Sequence, residues 1–216
     1  SARPALDVTA RLRRMGVAID DDHVLTSAEA SALYLSRTAP DAKRVYIVGG
    51  EGLRNALTKA GYQIVEQDAD AVVVGIDFTL TYEKLKIATR EIRRGAKFIG
   101  TNADNTLPVD DDVVPGAGSI LAAIQTATDV APIVIGKPEQ AMFDIAVEKM
   151  GASPQVTATL GDRLDTDIEG GMRAGLKSIL VMTGVTTPEI LAASTIQPDL
   201  VFDGLDALRQ EWLRAY

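Results

Sequence analysis

Three closely spaced aspartates are the residues of this sequence best suited to chemistry. Asp162, Asp165 and Asp167 lie in the segment GDRLDTDIEGG, where the predicted strand at 156–162 ends and a helix begins. A carboxylate at a strand end is rigidly placed, and hard cations such as Mg²⁺ prefer oxygen ligands. Alternatively, Asp165 caps the helix and the other two are solvated, because aspartate is common at helix starts. The pattern indicates a metal site but leaves this alternative open.

Glycines follow these aspartates. Gly170, Gly171 and Gly175 fall in the predicted helix IEGGMRAGL. Each costs about 1 kcal/mol in a helix interior relative to alanine. Their presence predicts that this helix packs closely against a neighbour and that the segment is constrained.

A lysine follows another predicted strand, PIVIG at 132–136. Lys137 begins the segment KPEQAMF, in which Pro138 suits the first turn of the next helix. A lysine at this place can neutralise a phosphate or the carboxylates around a metal ion. The alternative is a surface lysine whose amino group is solvated.

The elements that must position these residues alternate between predicted strands and helices. The other predicted strands are 44–50, 69–76, 97–102, 177–184 and 199–205, and residues 103–118 are predicted to be a loop. Such alternation predicts an α/β fold with a doubly wound, mostly parallel, Rossmann-like sheet. Ligands bind beyond the carboxyl ends of the strands in such sheets. Both the lysine and the aspartates therefore occupy positions expected of a site.

Composition excludes several classes of function. The sequence has 216 residues, a net charge of −8, no cysteine and one histidine. The negative charge argues against nonspecific nucleic-acid binding, which requires a basic face. The absence of cysteine excludes thiolate catalysis and cysteine-ligated zinc. No apolar stretch approaches the roughly 20 residues of a membrane helix. No signal peptide is visible, so we expect a cytoplasmic protein without a membrane partner.

Several motifs together resemble one enzyme family. GDRLDTDI, VMTGVTT, IGKP and TNADNTLP followed by PGAGSI are similar to signatures of the haloacid dehalogenase superfamily. The resemblance is greatest to subfamily IIA, the NagD-like and p-nitrophenyl phosphatase group, and covers essentially the whole sequence. It implies a core with an inserted α/β cap domain. The predicted division is core at 1–39, cap at 40–131 and core again at 132–216.

The resemblance also implies an activity and roles for individual residues. It implies a magnesium-dependent phosphatase that acts on a small phosphorylated substrate through an aspartyl phosphate. Asp162 corresponds to a metal ligand, and Asp167 to the residue that supports the metal's waters and the lysine. Lys137 corresponds to the residue that orients the nucleophile and offsets negative charge. A homodimer is compatible with the family.

The predicted cap supplies candidate substrate-binding residues. Asn102, Asp104 and Asn105 in GTNADNTLP carry polar side chains that suit a polar substrate, and the segment 77–82 is a further candidate. For each residue the alternative is turn formation, which asparagine and aspartate favour. The glycines of VGGEG and of GAG at 116–118 are interpreted mainly as turns, although helix starts after such glycines also bind anions.

The nucleophile motif of the family, DxDGT, does not occur in these 216 residues. The segment IDFTLTY at 76–82 echoes it, but Thr79 stands where the second carboxylate belongs. The carboxylates at 20–22 and 110–112 are in the wrong context. The TNN loop of the family is also missing, and Ser1 and Arg3 resemble its tail. We interpret the sequence as a fragment that does not turn over phosphate esters alone. The alternative is an inactive metal- or phosphate-binding module of the same fold.

Overall fold

The structure is a computed structural model that describes residues 5–109 and 112–215. The chain forms two compact units, residues 1–136 and residues 137–216. Both are α/β, and their main sheets are parallel, as the alternation of strands and helices predicts. Among the described helices, none is long and apolar enough to cross a membrane.

The first unit is built on a parallel sheet. Its described helices are α1 (Ala5–Arg14), α2 (Ser27–Thr38), α3 (Glu51–Lys59), α4 (Tyr82–Arg93) and α5 (Ala117–Thr128). Its described strands are β1 (Arg44–Val48), β2 (Gln63–Ile64), β3 (Ala71–Val74), β4 (Lys97–Gly100), β5 (Thr106–Val109), β6 (Asp112–Pro115) and β7 (Ile133–Val134). Five of these strands pair in the order β2-β1-β3-β4-β7, and all pairs are parallel.

Strands β1 and β3 are buried on both faces of this sheet. Tyr46 and Val48 belong to a core cluster with Val72, Val74 and residues of α4 and α5. The alternate residues of the same strands are buried as well, because helices cover both faces of a doubly wound sheet. This explains why the strands read as continuous apolar runs and were predictable.

A hairpin replaces part of the predicted loop at 103–118. Strands β5 and β6 pair antiparallel, with Thr106 opposite Pro115 and Val109 opposite Asp112. The prediction of a loop was wrong here because most residues of both strands are exposed or half-buried, and no apolar alternation marks them. Of the acidic run at 110–112, only Asp112 lies within the described residues.

The second unit carries a smaller parallel sheet. Its described helices are α6 (Gln140–Lys149), α7 (Glu169–Arg173), α8 (Pro188–Ala193) and α9 (Leu205–Ala215). Its described strands are β8 (Ala158–Gly161), β9 (Lys177–Val181) and β10 (Leu200–Phe202), which pair in the order β10-β9-β8. A π-turn, Leu164–Ile168, connects β8 to α7.

In each unit an aspartate forms hydrogen bonds between two strands at the amino-terminal edge of the main sheet. Asp70, just before β3, accepts hydrogen bonds from the backbone N–H groups of Lys43 and Arg44 at 2.8 and 2.7 Å. Asp199, just before β10, accepts bonds from the N–H and the hydroxyl of Ser178 at 2.8 and 2.9 Å. In both units one carboxylate therefore ties the start of its own strand to the neighbouring parallel strand.

Candidate active site

Asp162 lies directly after β8, at the carboxyl end of the second unit's sheet. Its Oδ2 accepts a hydrogen bond of 2.8 Å from the backbone N–H of Val185, and its carbonyl oxygen accepts one of 3.1 Å from Thr186 N–H. A Cβ added at Gly184 would overlap the Asp162 carboxylate. The segment after β9 therefore encloses Asp162 and fixes one of its two carboxylate oxygens.

Asp167 and Lys137 form an ion pair in the same unit. The Nζ atom of Lys137 lies 2.6 Å from Oδ1 of Asp167. The other carboxylate oxygen of Asp167 accepts a bond of 3.3 Å from the N–H of Arg163. The Asp167 side chain is only 10% exposed, whereas that of Lys137 is 46% exposed. The carboxylate is thus enclosed while the lysine remains accessible.

Gly161 explains how Asp167 fits against the strand end. A Cβ at this position would overlap Cβ and Cγ of Asp167. The hydroxyl of Thr159, on the same strand, donates a bond of 3.3 Å to the backbone oxygen of Asp167. Strand β8 therefore positions both aspartates. Asp162 directly follows its last residue, and Asp167 packs against Gly161.

Asp165 does not cap a helix, so that alternative was wrong. Residues 164–168 form a π-turn whose N-cap is Arg163, and no side chain caps it. The Asp165 carboxylate instead accepts two bonds from the Arg163 guanidinium, at 3.1 Å from Nε and 2.8 Å from Nη2. The Arg163 guanidinium lowers the pKa of Asp165, in spite of an opposing effect of burial.

Two of the three glycines after the aspartates are closely packed, as predicted. A Cβ at Gly170 would overlap the ring of Phe143, and one at Gly171 would overlap Thr159. The prediction was wrong for Gly175, where an added Cβ would have no atom within 4 Å but the backbone has a φ of +73°. Its role is to end α7 in a left-handed conformation that glycine tolerates best.

The distance along the chain from Lys137 to the start of helix α6 is greater than the sequence predicted. The predicted helix start at Pro138 was wrong, because α6 begins at Gln140 and its N-cap is Glu139. The carbonyl oxygen of Pro138 instead lies next to Gly170, where a Cβ would approach it within 2.9 Å. Lys137 is therefore held on a short segment beside the loop that carries Asp167.

The predicted substrate-binding residues lie in the first unit, between β4 and β5. The carbonyl oxygens of Asp104 and Asn105 accept bonds of 2.8 Å from the N–H groups of Gly118 and Gly116, at the start of α5. The side-chain amide of Asn102 donates to Asp104 Oδ2. The side chains of Asp104 and Asn105 are exposed and that of Asn102 is half-buried. Their binding role stays a prediction.

The start of α5 is occupied by this loop. Added Cβ atoms at Gly116 and Gly118 would overlap the carbonyl oxygens of Asp104 and Ala103. These glycines therefore allow the close approach of two backbone segments. Two of the N–H groups that an anion would use at this helix start already donate to carbonyl oxygens.

The segment that echoes the nucleophile motif has a structural role. Asp77 is buried and accepts bonds from Lys84 at 2.7 Å and from the N–H and hydroxyl of Thr79 at 2.8 Å. Burial raises the pKa of Asp77, but the bonds from Lys84 and Thr79 outweigh it and lower the pKa. The buried carboxylate of Asp77 therefore forms an ion pair with Lys84 and stabilises the turn at Thr79.

The donor atoms for a metal ion are few in the described part of the chain. Within 5–109 and 112–215, no group of three or more His, Cys, Asp or Glu side chains gathers closely enough to hold a metal ion. Asp162 and Asp167 supply hard oxygen atoms of the kind that Mg²⁺ prefers. Mg²⁺ also keeps several waters and takes phosphate oxygens, so a single protein carboxylate fits its usual coordination.

Comparison with known proteins decides the family. Family profiles described as haloacid dehalogenase-like hydrolase and HAD-hydrolase-like match residues 1–63 and 134–208. The acid sugar phosphatase of Staphylococcus epidermidis is 41% identical over 207 residues, covering 95% of this chain and 80% of that protein. The chain belongs to the haloacid dehalogenase-like hydrolases. The residues that led to the resemblance place it in their NagD-like subfamily IIA.

Solved structures of phosphatases are similar to this chain over nearly all of its length. The 4-nitrophenylphosphatase of Thermotoga maritima is 41% identical, with a TM-score of 0.90, over 97% of this chain and 80% of that one. A glycerol phosphate phosphatase of Mycobacterium tuberculosis, in complex with calcium, is 36% identical with a TM-score of 0.88, over 96% of this chain and 62% of that one. The protein is a phosphoric monoester hydrolase of this family.

The structure brings together part of the predicted site. Lys137 contacts Asp167, and Asp162 lies on the same strand-end loop of the second unit. Asn102, Asp104 and Asn105 lie in the first unit. The sequence did not reveal Gly184, Val185 or Arg163 as partners of the two aspartates. The one signal available was the glycine in VMTGVTT, directly after a predicted strand.

Proposed function

We propose that this haloacid dehalogenase-like hydrolase is a magnesium-dependent phosphatase of small phosphorylated metabolites that works through an aspartyl phosphate. The observation that carries the proposal is the 2.6 Å ion pair between Lys137 and Asp167. Asp167 lies on the same loop as Asp162. A lysine and two carboxylates at strand ends provide the charge stabilisation on which phosphoryl transfer depends.

Asp162 is the proposed metal ligand. Its Oδ2 is held by the Val185 amide at 2.8 Å, which orients the carboxylate and leaves Oδ1 as the oxygen for the metal. Bound Mg²⁺ would offset the negative charge of the phosphoryl group during transfer. The calcium complex of the mycobacterial relative supports a divalent cation in this family.

Lys137 is proposed to offset negative charge at the reacting phosphate and to orient the nucleophile. Its side chain is 46% exposed although it is paired, so a substrate oxygen can reach it. Asp167, which is nearly buried, holds the lysine in place and is proposed to receive hydrogen bonds from the metal's waters. The ion pair keeps the lysine at one position, and this lowers the entropic cost of orienting it during the reaction.

The nucleophile is proposed to be an aspartate from outside these 216 residues, because they contain no DxDGT sequence. Its carboxylate oxygen attacks phosphorus, and the bond from phosphorus to the ester oxygen breaks. The alcohol leaves with a proton from the second carboxylate of that motif. Water then hydrolyses the acyl phosphate, which regenerates the aspartate and releases inorganic phosphate.

The proposed substrates are small polar phosphomonoesters. Relatives carry names such as acid sugar phosphatase and glycerol phosphate phosphatase, and the leaving groups in these names are polyhydroxylated. Asn102, Asp104 and Asn105 are proposed to accept from and donate to such hydroxyl groups. Their exposed or half-buried side chains are suited to this, since backbone atoms make most of the bonds that hold the loop.

The test uses a version of the protein extended upstream through a DxDGT strand. We expect it to release phosphate from p-nitrophenyl phosphate and from sugar phosphates in the presence of Mg²⁺. The Asp162→Asn variant should lose this activity, and Glu169→Gln, which changes a neighbouring carboxylate on α7, should retain it. If the extended protein binds Mg²⁺ through Asp162 but releases no phosphate, it is an inactive metal-binding module and the proposal is wrong.

A further inference from the structure

Arg163 makes three kinds of contact within the metal loop, the segment 161–168. Its carbonyl oxygen accepts bonds from the N–H groups of Asp167 and Ile168 at 3.1 and 3.2 Å, and the bond from Ile168 has the five-residue span of a π-turn. Its own N–H donates to the Asp167 carboxylate at 3.3 Å. Its guanidinium binds the Asp165 carboxylate through two nitrogen atoms. One residue therefore connects the turn, the buried aspartate and an exposed aspartate.

The π-turn that contains both aspartates is an uncommon element. Hydrogen bonds from the N–H of residue i+5 to the carbonyl oxygen of residue i are rare, and they occur mostly as single turns, frequently at functional sites. In this turn the carboxylate of Asp165 faces the Arg163 side chain, and the carboxylate of Asp167 faces the Arg163 backbone. If Arg163 shifted, the support of Asp167 on that side would be lost.

The exposure of the Arg163–Asp165 pair argues that its effect is on geometry. The two side chains are 44% and 64% exposed, and ion pairs so exposed contribute little to the stability of the fold. A planar guanidinium that binds a carboxylate through two nitrogens nevertheless fixes direction as well as distance. The pair is therefore suited to hold a loop in one shape, with a small effect on unfolding.

We propose that Arg163 and Asp165 form a positioning pair that holds Asp167 in the orientation in which it binds Lys137, and that they act on the metal site only through Asp167. The inference rests on the proposed function for its effect on Mg²⁺. The arrangement of Asp167 and Lys137 can be examined independently of that function.

Substitutions that preserve size and remove the paired geometry test the proposal. Arg163→Lys keeps the positive charge but cannot bind through two nitrogens, and Asp165→Asn keeps the shape but loses the negative charge. Isothermal titration with Mg²⁺ should show an affinity about tenfold weaker for each variant, which is the lower end of the loss seen when a residue that supports a metal ligand is removed. The double variant should be no weaker than the singles, and the melting temperature should change little.

A matched pair in the same unit provides the control. Arg173 and Glu169 on α7 lie 2.6 Å apart, with side chains 46% and 32% exposed, and they pair with each other across one helical turn. Arg173→Lys and Glu169→Gln should leave Mg²⁺ affinity unchanged. An equal loss of affinity in these controls would overturn the proposal, because general charge effects would then explain it.

A crystal structure of Arg163→Lys separates this proposal from the proposed function. We expect the Lys137–Asp167 bond to lengthen beyond hydrogen-bonding distance or the Asp167 side chain to rotate. Retention of that bond overturns the positioning role, whatever the metal does. Absence of Mg²⁺ binding in the unsubstituted protein overturns the metal site, and the crystal structure then still decides whether the pair positions Asp167.

Discussion

The N–H of Val185 donates a hydrogen bond of 2.8 Å to the carboxylate of Asp162, although 23 positions separate the two residues. The bond joins the segment after β9 to the end of β8, two neighbouring strands of one sheet. Because Gly184 precedes Val185 and touches the same carboxylate, the two residues together determine where Asp162 can lie.

Gly184→Ala should displace Asp162 and weaken Mg²⁺ binding. The added Cβ overlaps the carboxylate, so either the side chain must rotate away from Val185 or the segment must move. We expect affinity to fall by about tenfold or more, measured by isothermal titration. The control is Gly204→Ala, whose Cβ meets only a methyl group of Thr183 at 2.9 Å, which can rotate away. Equal affinity in both variants would contradict this account.

Lys137→Met should destabilise the second unit. The substitution removes the cation from Oδ1 of the nearly buried Asp167, and an enclosed oxygen atom that loses its partner costs about 1–3 kcal/mol. Urea denaturation should show a corresponding decrease in the free energy of unfolding. The double variant Lys137→Met, Asp167→Asn should recover part of it, because the charge that lacked a partner is also removed. Additive losses would argue against direct coupling of the two residues.

Asp199 should make stability depend on acid pH. The side chain of Lys177 and the N–H and hydroxyl of Ser178 lower the pKa of Asp199 to about 2. An unfolded aspartate has a pKa of about 3.9, so the folded protein favours the charged form. The stabilisation is complete above about pH 4 and is lost as the pH falls through about 2.

The variant Asp199→Asn isolates this effect. Urea midpoints should be lower for the variant than for the unsubstituted protein at pH 7, and the two should converge as the pH approaches about 2. Ser178 still donates to the asparagine oxygen, so the difference reports mainly the charge. A difference that stays constant from neutral pH down to this acid limit would show that the carboxylate's charge is unimportant.

Gly118→Ala should destabilise the first unit, contrary to the usual preference of helices for alanine. A Cβ at 118 overlaps the carbonyl oxygen of Ala103, so the bond from Gly118 N–H to Asp104 must break or lengthen. Ala122→Gly, at an exposed position of the same helix, should cost about 1 kcal/mol through helix propensity. Thermal unfolding should therefore show a lower melting temperature for both variants, although one replaces glycine by alanine and the other does the reverse. A higher melting temperature for Gly118→Ala would contradict the prediction.

The sequence predicted those parts of the fold that burial determines. Strands β1, β3 and β4 are apolar runs because helices cover both faces of their sheet, and their positions were predicted closely. The hairpin of β5 and β6 was missed because it buries little and contains Pro108 and Pro115. Cross-strand pairing of exposed residues leaves no periodic signal in the sequence.

The candidate site was predicted less completely than the fold. Strand ends and the spacing of aspartates pointed to Lys137, Asp162 and Asp167. The π-turn was not predictable, because it depends on bonds from residues 167 and 168 back to Arg163 and on the pairing of the Arg163 side chain. The role of Gly184 depends on a contact between the segments that follow β8 and β9, and this contact appears only after the sheet is formed.

The loop at 103–105 and the two glycines beside the aspartates, Gly161 and Gly184, differ in the side chains that they can accept. At Asp104 and Asn105 the carbonyl oxygens make the bonds to α5, and every amino acid has such an oxygen. At Gly161 and Gly184 any side chain would collide with a carboxylate. A substrate-binding role at 104 and 105 could therefore change with the side chain while the backbone of the loop persists. The backbone contacts thus tolerate a change of side chain at 104 and 105, whereas sterics exclude any side chain at 161 and 184.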